Sequence, residues 1–122
     1  MATDAVVVSG FTNTRRWPRY KLDVPIRAIV HRGTHTKLVD GRGTELNEGG
    51  MAIFAGLELK VGDTVEIEFT PPYTGQPIRV RCIVRNRLGY TYGVEFLTVT
   101  DEDTQRVRLI HQMLQAMGSP AL

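Results

Sequence analysis

The stretch "IRVRCIVRNRLGYTYGVEFL", Ile78 to Leu97, constrains the fold more than any other part of the chain. Val80, Cys82 and Val84 fall on one side of an extended backbone and Arg79, Arg81, Arg85 and Arg87 on the other, with Ile83 the exception. A period of two belongs to a half-buried strand, because successive strand side chains point to opposite faces. Leu88 and Gly89 then turn the chain, so that "LGYTYGVEFL" returns as the hairpin partner.

Other segments share the period. "LDVPIRAIVHR" sets Ile26, Ala28 and Val30 against Arg27, Ile29 and His31, and "TVEIEFT" sets Val65, Ile67 and Phe69 against acids. "TKLVDGRGTELNEGGMAIFAG" reads as a strand that bends at Asp40 to Gly43, turns at Asn47 to Gly50 and continues as "MAIFA". The paired glycines are expected to supply positive φ in that turn. Six short strands with glycine turns predict an antiparallel barrel or sandwich. The period then changes. "TDEDTQRVRLIHQMLQAMG" places Val107, Ile110, Leu114 and Met117 at helical spacing, with Met113 beside them. Asp101 to Asp103 suit a helix N-terminus, Thr100 or Asp101 can cap it, and Gly118 with Pro120 ends it. Its apolar stripe must cover an open barrel end or a partner chain.

At 122 residues, 42% hydrophobic, the chain suits one domain with tails. The expected division is a flexible leader at 1–14, a barrel with its arm at 15–99, a packed helix at 100–117 and a tail at 118–122. Cys82 is the one cysteine and reads as a small core residue. No apolar run approaches the roughly 20 residues that span a bilayer, and no signal-peptide pattern opens the chain, so a cytoplasmic location is expected.

Several chemistries fail on the residues available. His31 and His35 stand four apart across a glycine turn, without the helix that makes this spacing a metal pair, and His111 lies far off. No metal site, cofactor or catalytic residue is expected, since no Ser or Cys sits in a nucleophile motif and the acids fall on exposed faces or the helix cap. "DGRGTELNEGG" lacks the Gly-Lys-Ser/Thr ending and the following helix of a phosphate loop.

The positive charge is more telling. Twelve arginines stand against three lysines although the formal charge is only +2, and Arg15 to Arg42 holds six of those arginines with two lysines against Asp23 and Asp40. Guanidinium groups grip phosphate or a guanine edge bidentately, where lysine offers a point charge. Within "RRWPRY", Pro18 holds Trp17 extended, which sets Arg15 and Arg19 on one side about 13 Å apart at full extension. Arg16 and Trp17 add groups that stack on a nucleobase. A basic leader with Trp17 packed on the barrel fits the same residues. Single-stranded nucleic acid is disfavoured as a partner, since only Trp17 and Tyr20 are aromatic in the basic segment and net charge is low.

From about Arg15 to Leu97 the chain resembles the PilZ domain, the bacterial receptor module for cyclic di-GMP. The family pattern is an Arg-x-x-x-Arg arm before the first strand, Asp/Asn-x-Ser-x-x-Gly at a strand turn, and a closing Tyr-x-Gly-hydrophobic-acid-Phe strand. Arg15 to Arg19 match the arm, "YGVEF" at Tyr92 to Phe96 matches the closing strand from its glycine onward, and "LKVGDTVEIEF" is typical of the connection. In the middle motif Glu45 takes the acidic position, Asn47 replaces the serine and Gly50 keeps the glycine.

The resemblance implies a six-stranded antiparallel barrel with a C-terminal helix and a ligand site where the arm folds over the strand turn. It gives Arg15 and Arg19 the arginine roles toward phosphate and guanine, with Arg16 accessory, and gives Gly50 the role of permitting close approach. Glu45 keeps a carboxylate for guanine N–H groups but displaces it by about 1.5 Å, one bond length; Asn47 both donates and accepts, as serine does. The implied function is a cyclic di-GMP receptor and adaptor that signals through a protein partner in second-messenger pathways. The alternative is a divergent PilZ scaffold that has lost the nucleotide and binds protein through Met113 and Met117 or the arginine face of "IRVRCIVRNR". Arg85, Arg87 and Tyr92 are candidates to stack on the outer guanine, and self-association stays open.

Overall fold

A computed structural model describes residues 20–71 and 75–116. Six strands, β1 (Tyr20–Arg32), β2 (His35–Leu46), β3 (Gly50–Ala55), β4 (Thr64–Phe69), β5 (Ile78–Leu88) and β6 (Thr91–Phe96), precede one helix, α1 (Asp101–Ala116). All pairings are antiparallel and close a barrel in the order β1-β2-β3-β6-β5-β4, with β4 returning to β1. Closure removes every sheet edge, so backbone donors and acceptors along the strands find partners.

The alternating residues point as their period predicts. Ala28, Ile53, Ile67, Val80, Cys82, Val84 and Tyr92 are at most 1% exposed and line one continuous core. Burial raises the Cys82 thiol pKa, because the thiolate would lie in an apolar interior. Ile29 departs from the expected pattern: it lies on the face opposite the core residues yet is buried. Two hairpins, at Gly33-Thr34 and Gly89-Tyr90, turn on two residues, each with glycine at positive φ in the first position.

The bend expected at Asp40 to Gly43 is absent. Those residues pair regularly with Val24 to Arg27, and the irregularity falls between Gly43 and Glu45 on the β3 side, with a second between Lys21 and Val24 on β1. An extra residue on one strand lets the barrel wall turn there without breaking the ladder with the other neighbour.

Of the two candidate caps, Thr100 takes the role. Its hydroxyl accepts from Asp103 N–H (3.0 Å) while the Asp103 carboxylate accepts from Thr100 N–H (3.1 Å), a reciprocal cap. Val107, Ile110, Met113 and Leu114 join the barrel's core cluster, so the stripe covers the chain's own interior. The proposed interface role of Met113 is thereby corrected, since at 4% exposure it is core; Met117 lies outside the described residues.

Candidate functional site: a strand turn and an outer shelf

Asn47 closes the turn from β2 to β3. Its Oδ1 accepts from Gly49 N–H (2.7 Å) and Gly50 N–H (2.9 Å), and its own N–H donates to Gly50 O (3.0 Å). Asparagine favours such sites because its short side chain reaches backbone amides two and three residues on. Asn47 is buried. The side chain that the resemblance assigns to a ligand therefore uses its carbonyl to hold the loop together.

Gly49 and Gly50 do not adopt the positive φ expected of them; among the described residues the glycines that do are Gly33, Gly62, Gly75 and Gly89. Gly50 is required for another reason. A Cβ there would stand 2.1 Å from Val94 O, so β3 and β6 could not approach as they do. The close approach that glycine permits is thus between strands of the barrel itself.

Two further contacts hold the loop: Phe96 N–H donates to Gly49 O (2.9 Å), and His111 Nε2–H donates to Glu48 O (2.9 Å). The second ties α1 to the motif. The helix is itself anchored where Arg81 of β5 pairs bidentately with Asp103, at 2.8 and 2.7 Å. The Arg81 guanidinium, with help from the Thr100 amide and hydroxyl, holds the buried Asp103 carboxyl well below the usual carboxylate range against the opposing effect of burial.

Beside the turn lies a shallow cleft of about 190 Å³, lined by Glu45, Asn47, Met51, Ala52, Asn86, Thr91, Tyr92 and Gly93. One ladder row crosses it. Lys21 of β1 pairs with Glu45, Glu45 with Ala52, Ala52 with Gly93, and Gly93 with Asn86 of β5. The flanking Met51, Ile53, Tyr92 and Val94 point into the core, so this row faces outward. Its two central positions, Ala52 and Gly93, are the smallest side chains available and leave a flat floor. Glu45, half-buried, stands at one end with Lys21 Nζ 4.0 Å away.

The structure brings Glu45, Asn47 and Gly50 together as the spacing implies. Arg15, Arg16 and Arg19 lie outside the described residues, but the point where their segment joins the barrel is described: Tyr20 pairs with Leu46 and Lys21 with Glu45. Tyr92 is not available for stacking. It is 0% exposed, and its hydroxyl donates to Leu57 O (2.7 Å) and accepts from Leu59 N–H (3.0 Å), which pins the β3–β4 connection. On the arginine face, Arg85 pairs with Glu95 (2.6 Å), and Arg87 lies over the Tyr90 and Tyr92 rings while bonding Gly89 O and Leu59 O.

Asn86 is not among the residues singled out from sequence, and Gly93 is among them only as part of "YGVEF", although both leave a trace there. Three polar residues in succession, Arg85 to Arg87, break the alternation of β5 and signal a bulge. A glycine inside "TYGVEF" signals a close approach.

Among the described residues, no group of three or more His, Cys, Asp or Glu side chains could hold a metal ion, and no helix is long and apolar enough to cross a membrane. Comparison with curated proteins gives no match. Solved structures share the fold at low identity. The PilZ domain of CeSA from a cellulose-synthesizing bacterium is 15% identical (TM-score 0.64, 80% of this chain and 98% of that one). The PilZ domain of Escherichia coli YcgR with c-di-GMP is 17% identical (TM-score 0.58, 86% and 95%). A complex of K. pneumonia MrkH with c-di-GMP is 18% identical (TM-score 0.59), covering 88% of this chain but only 55% of MrkH. A family-model match that runs from residue 13, ahead of the arginine arm, to residue 115 in the last turn of α1 makes this chain a member of the PilZ domain family.

Proposed function

We propose that the chain is a cyclic di-GMP receptor rather than an enzyme: the nucleotide orders the Arg15 to Arg19 arm over the β2–β3 turn and the shelf, and a partner protein reads the surface so formed. The observation that carries this reading is the register of β1. Because Tyr20 pairs with Leu46, the arm is tethered one residue from Asn47, and Arg15 cannot stray more than about 18 Å from that anchor. The point where the arm joins the barrel is thus next to Glu45; guanidinium groups from the arm would give donors for phosphate, and Glu45 an acceptor for guanine N–H groups. The c-di-GMP complexes of YcgR and MrkH, on the same fold, support the choice of ligand.

Titration calorimetry of the wild type against an Arg15→Ala, Arg19→Ala double variant tests it. Saturable heat from the wild type at tens of micromolar ligand, lost in the variant, is expected. No wild-type heat in that range sinks the idea.

One observation favours a second reading, a protein-binding module without the nucleotide: the Asn47 carbonyl is already taken up by the Gly49 and Gly50 amides. In that case a partner would co-purify equally well after alanine substitution of the arm.

A further inference from the structure

The shelf has a second wall at Asn86, which the family motifs do not include. The β5–β6 register shifts between Val84 and Asn86, and the bulge turns Asn86 outward beside Gly93. A Cβ at Gly93 would stand 2.6 Å from both heteroatoms of the Asn86 amide, so that amide lies flat over the glycine. Its Oδ1 accepts from Gly93 N–H at 3.1 Å. With the oxygen turned to the backbone, the group that Asn86 presents to a ligand is its NH2, a donor.

Glu45 faces it from three strands away, across Ala52 and Gly93. Three inter-strand spacings make the shelf roughly 14 Å wide between Cα atoms. The Asn86 amide over Gly93 leaves two of those spacings, roughly 10 Å, between it and Glu45, and with a hydrogen bond of about 2.9 Å at each end a single purine held by both side chains lies over Ala52. One wall accepts and the other donates. Guanine carries N–H donors at N1 and N2 and acceptors at O6 and N7, whereas adenine sets an amino donor where guanine has O6.

We propose that Asn86 is a specificity-determining residue: its NH2 donates to the O6/N7 edge of a guanine resting over Ala52, beside the amide that covers Gly93, while Glu45 accepts from the opposite edge. This rests on the cyclic di-GMP reading above. An adenine in the same place keeps N7 for the Asn86 donor but sets its N6 amino donor against that donor where guanine has O6, and offers Glu45 an acceptor at N1 in place of an N–H.

The test is calorimetric titration of the full chain with cyclic di-GMP and cyclic di-AMP, for the wild type and Asn86→Asp. Aspartate keeps an oxygen for Gly93 N–H, so the bulge is retained, but it replaces the donor with an acceptor. The wild type is expected to prefer cyclic di-GMP; the variant should bind it about 10- to 100-fold more weakly, with its preference over cyclic di-AMP reduced at least about tenfold. Asn86→Ser, uncharged and too short to reach the base, gives the same reading if the aspartate variant fails to fold: cyclic di-GMP should lose more affinity than cyclic di-AMP. A wild type that binds cyclic di-GMP, with the ratio unchanged in the variants, overturns this inference alone. Binding of neither dinucleotide by the wild type overturns it together with the receptor reading.

Discussion

Two asparagines flank the shelf and use the same amide in different surroundings. Asn47 is buried and closes the β2–β3 turn by accepting from two backbone N–H groups; Asn86 is exposed and accepts from one. Each has a glycine beside it. At Gly50 an added Cβ would meet the Val94 carbonyl at 2.1 Å, which is backbone held in the ladder; at Gly93 it would meet the Asn86 amide at 2.6 Å, the movable end of a side chain. The turn is thus a structural joint and the bulge is adjustable surface. Residue type does not separate them, but burial and the mobility of the neighbour do.

Substitutions can break that contrast. Gly50→Ala carries the largest expected effect, about 3 kcal/mol of lost stability or outright failure to fold, because neither strand can yield without losing pairing. Asn47→Ala should follow at about 2 kcal/mol, from orphaning the Gly49 and Gly50 amides in a buried turn. Urea denaturation measures both, and a loss under about 0.5 kcal/mol at either position would mean the turn is not the joint described.

Acid should act on the turn more than on the bulge, because His111 joins α1 to Glu48 and Asp103 docks α1 on Arg81. A carboxyl whose pKa is depressed by folding contributes stability that is complete above its unfolded value, near 3.9, and is lost as pH falls through the folded one. Denaturation midpoints should therefore drop below about pH 4 in the wild type and fall less steeply in Asp103→Asn. Parallel acid limbs in the two proteins would contradict this role for Asp103.

The smallest effects on stability belong to the bulge. Asn86→Ala and Gly93→Ala should each cost under about 1 kcal/mol, since one exposed hydrogen bond or one side-chain displacement is at stake. Thermal melting checks this, and a large loss in either would make the bulge as structural as the turn.

How far the sequence reaches differs between these regions. The period of two in "TVEIEFT" and "IRVRCIVRNR", and the shift to helical spacing after Thr100, foretell strands, helix and inward faces, because those patterns depend only on local backbone geometry and on which side chains leave water. The Asp/Asn-x-Ser-x-x-Gly spacing likewise locates the turn and brings Glu45, Asn47 and Gly50 together.

What each of those residues does was decided elsewhere. Gly50 is needed because of Val94, 44 positions further on, and not for its own φ. Tyr92 resembles a stacking aromatic in the closing motif, yet its hydroxyl is committed to Leu57 and Leu59 inside the barrel. Asn86 comes to stand across from Glu45 only because β6 and β3 lie between them. By itself the sequence determined where the main strands and the helix lie and which of their faces are apolar. Only the tertiary structure decided which polar side chains are buried in the fold and which face outward, because hydrogen-bond partners and burial are set by residues that barrel closure brings together from distant parts of the chain.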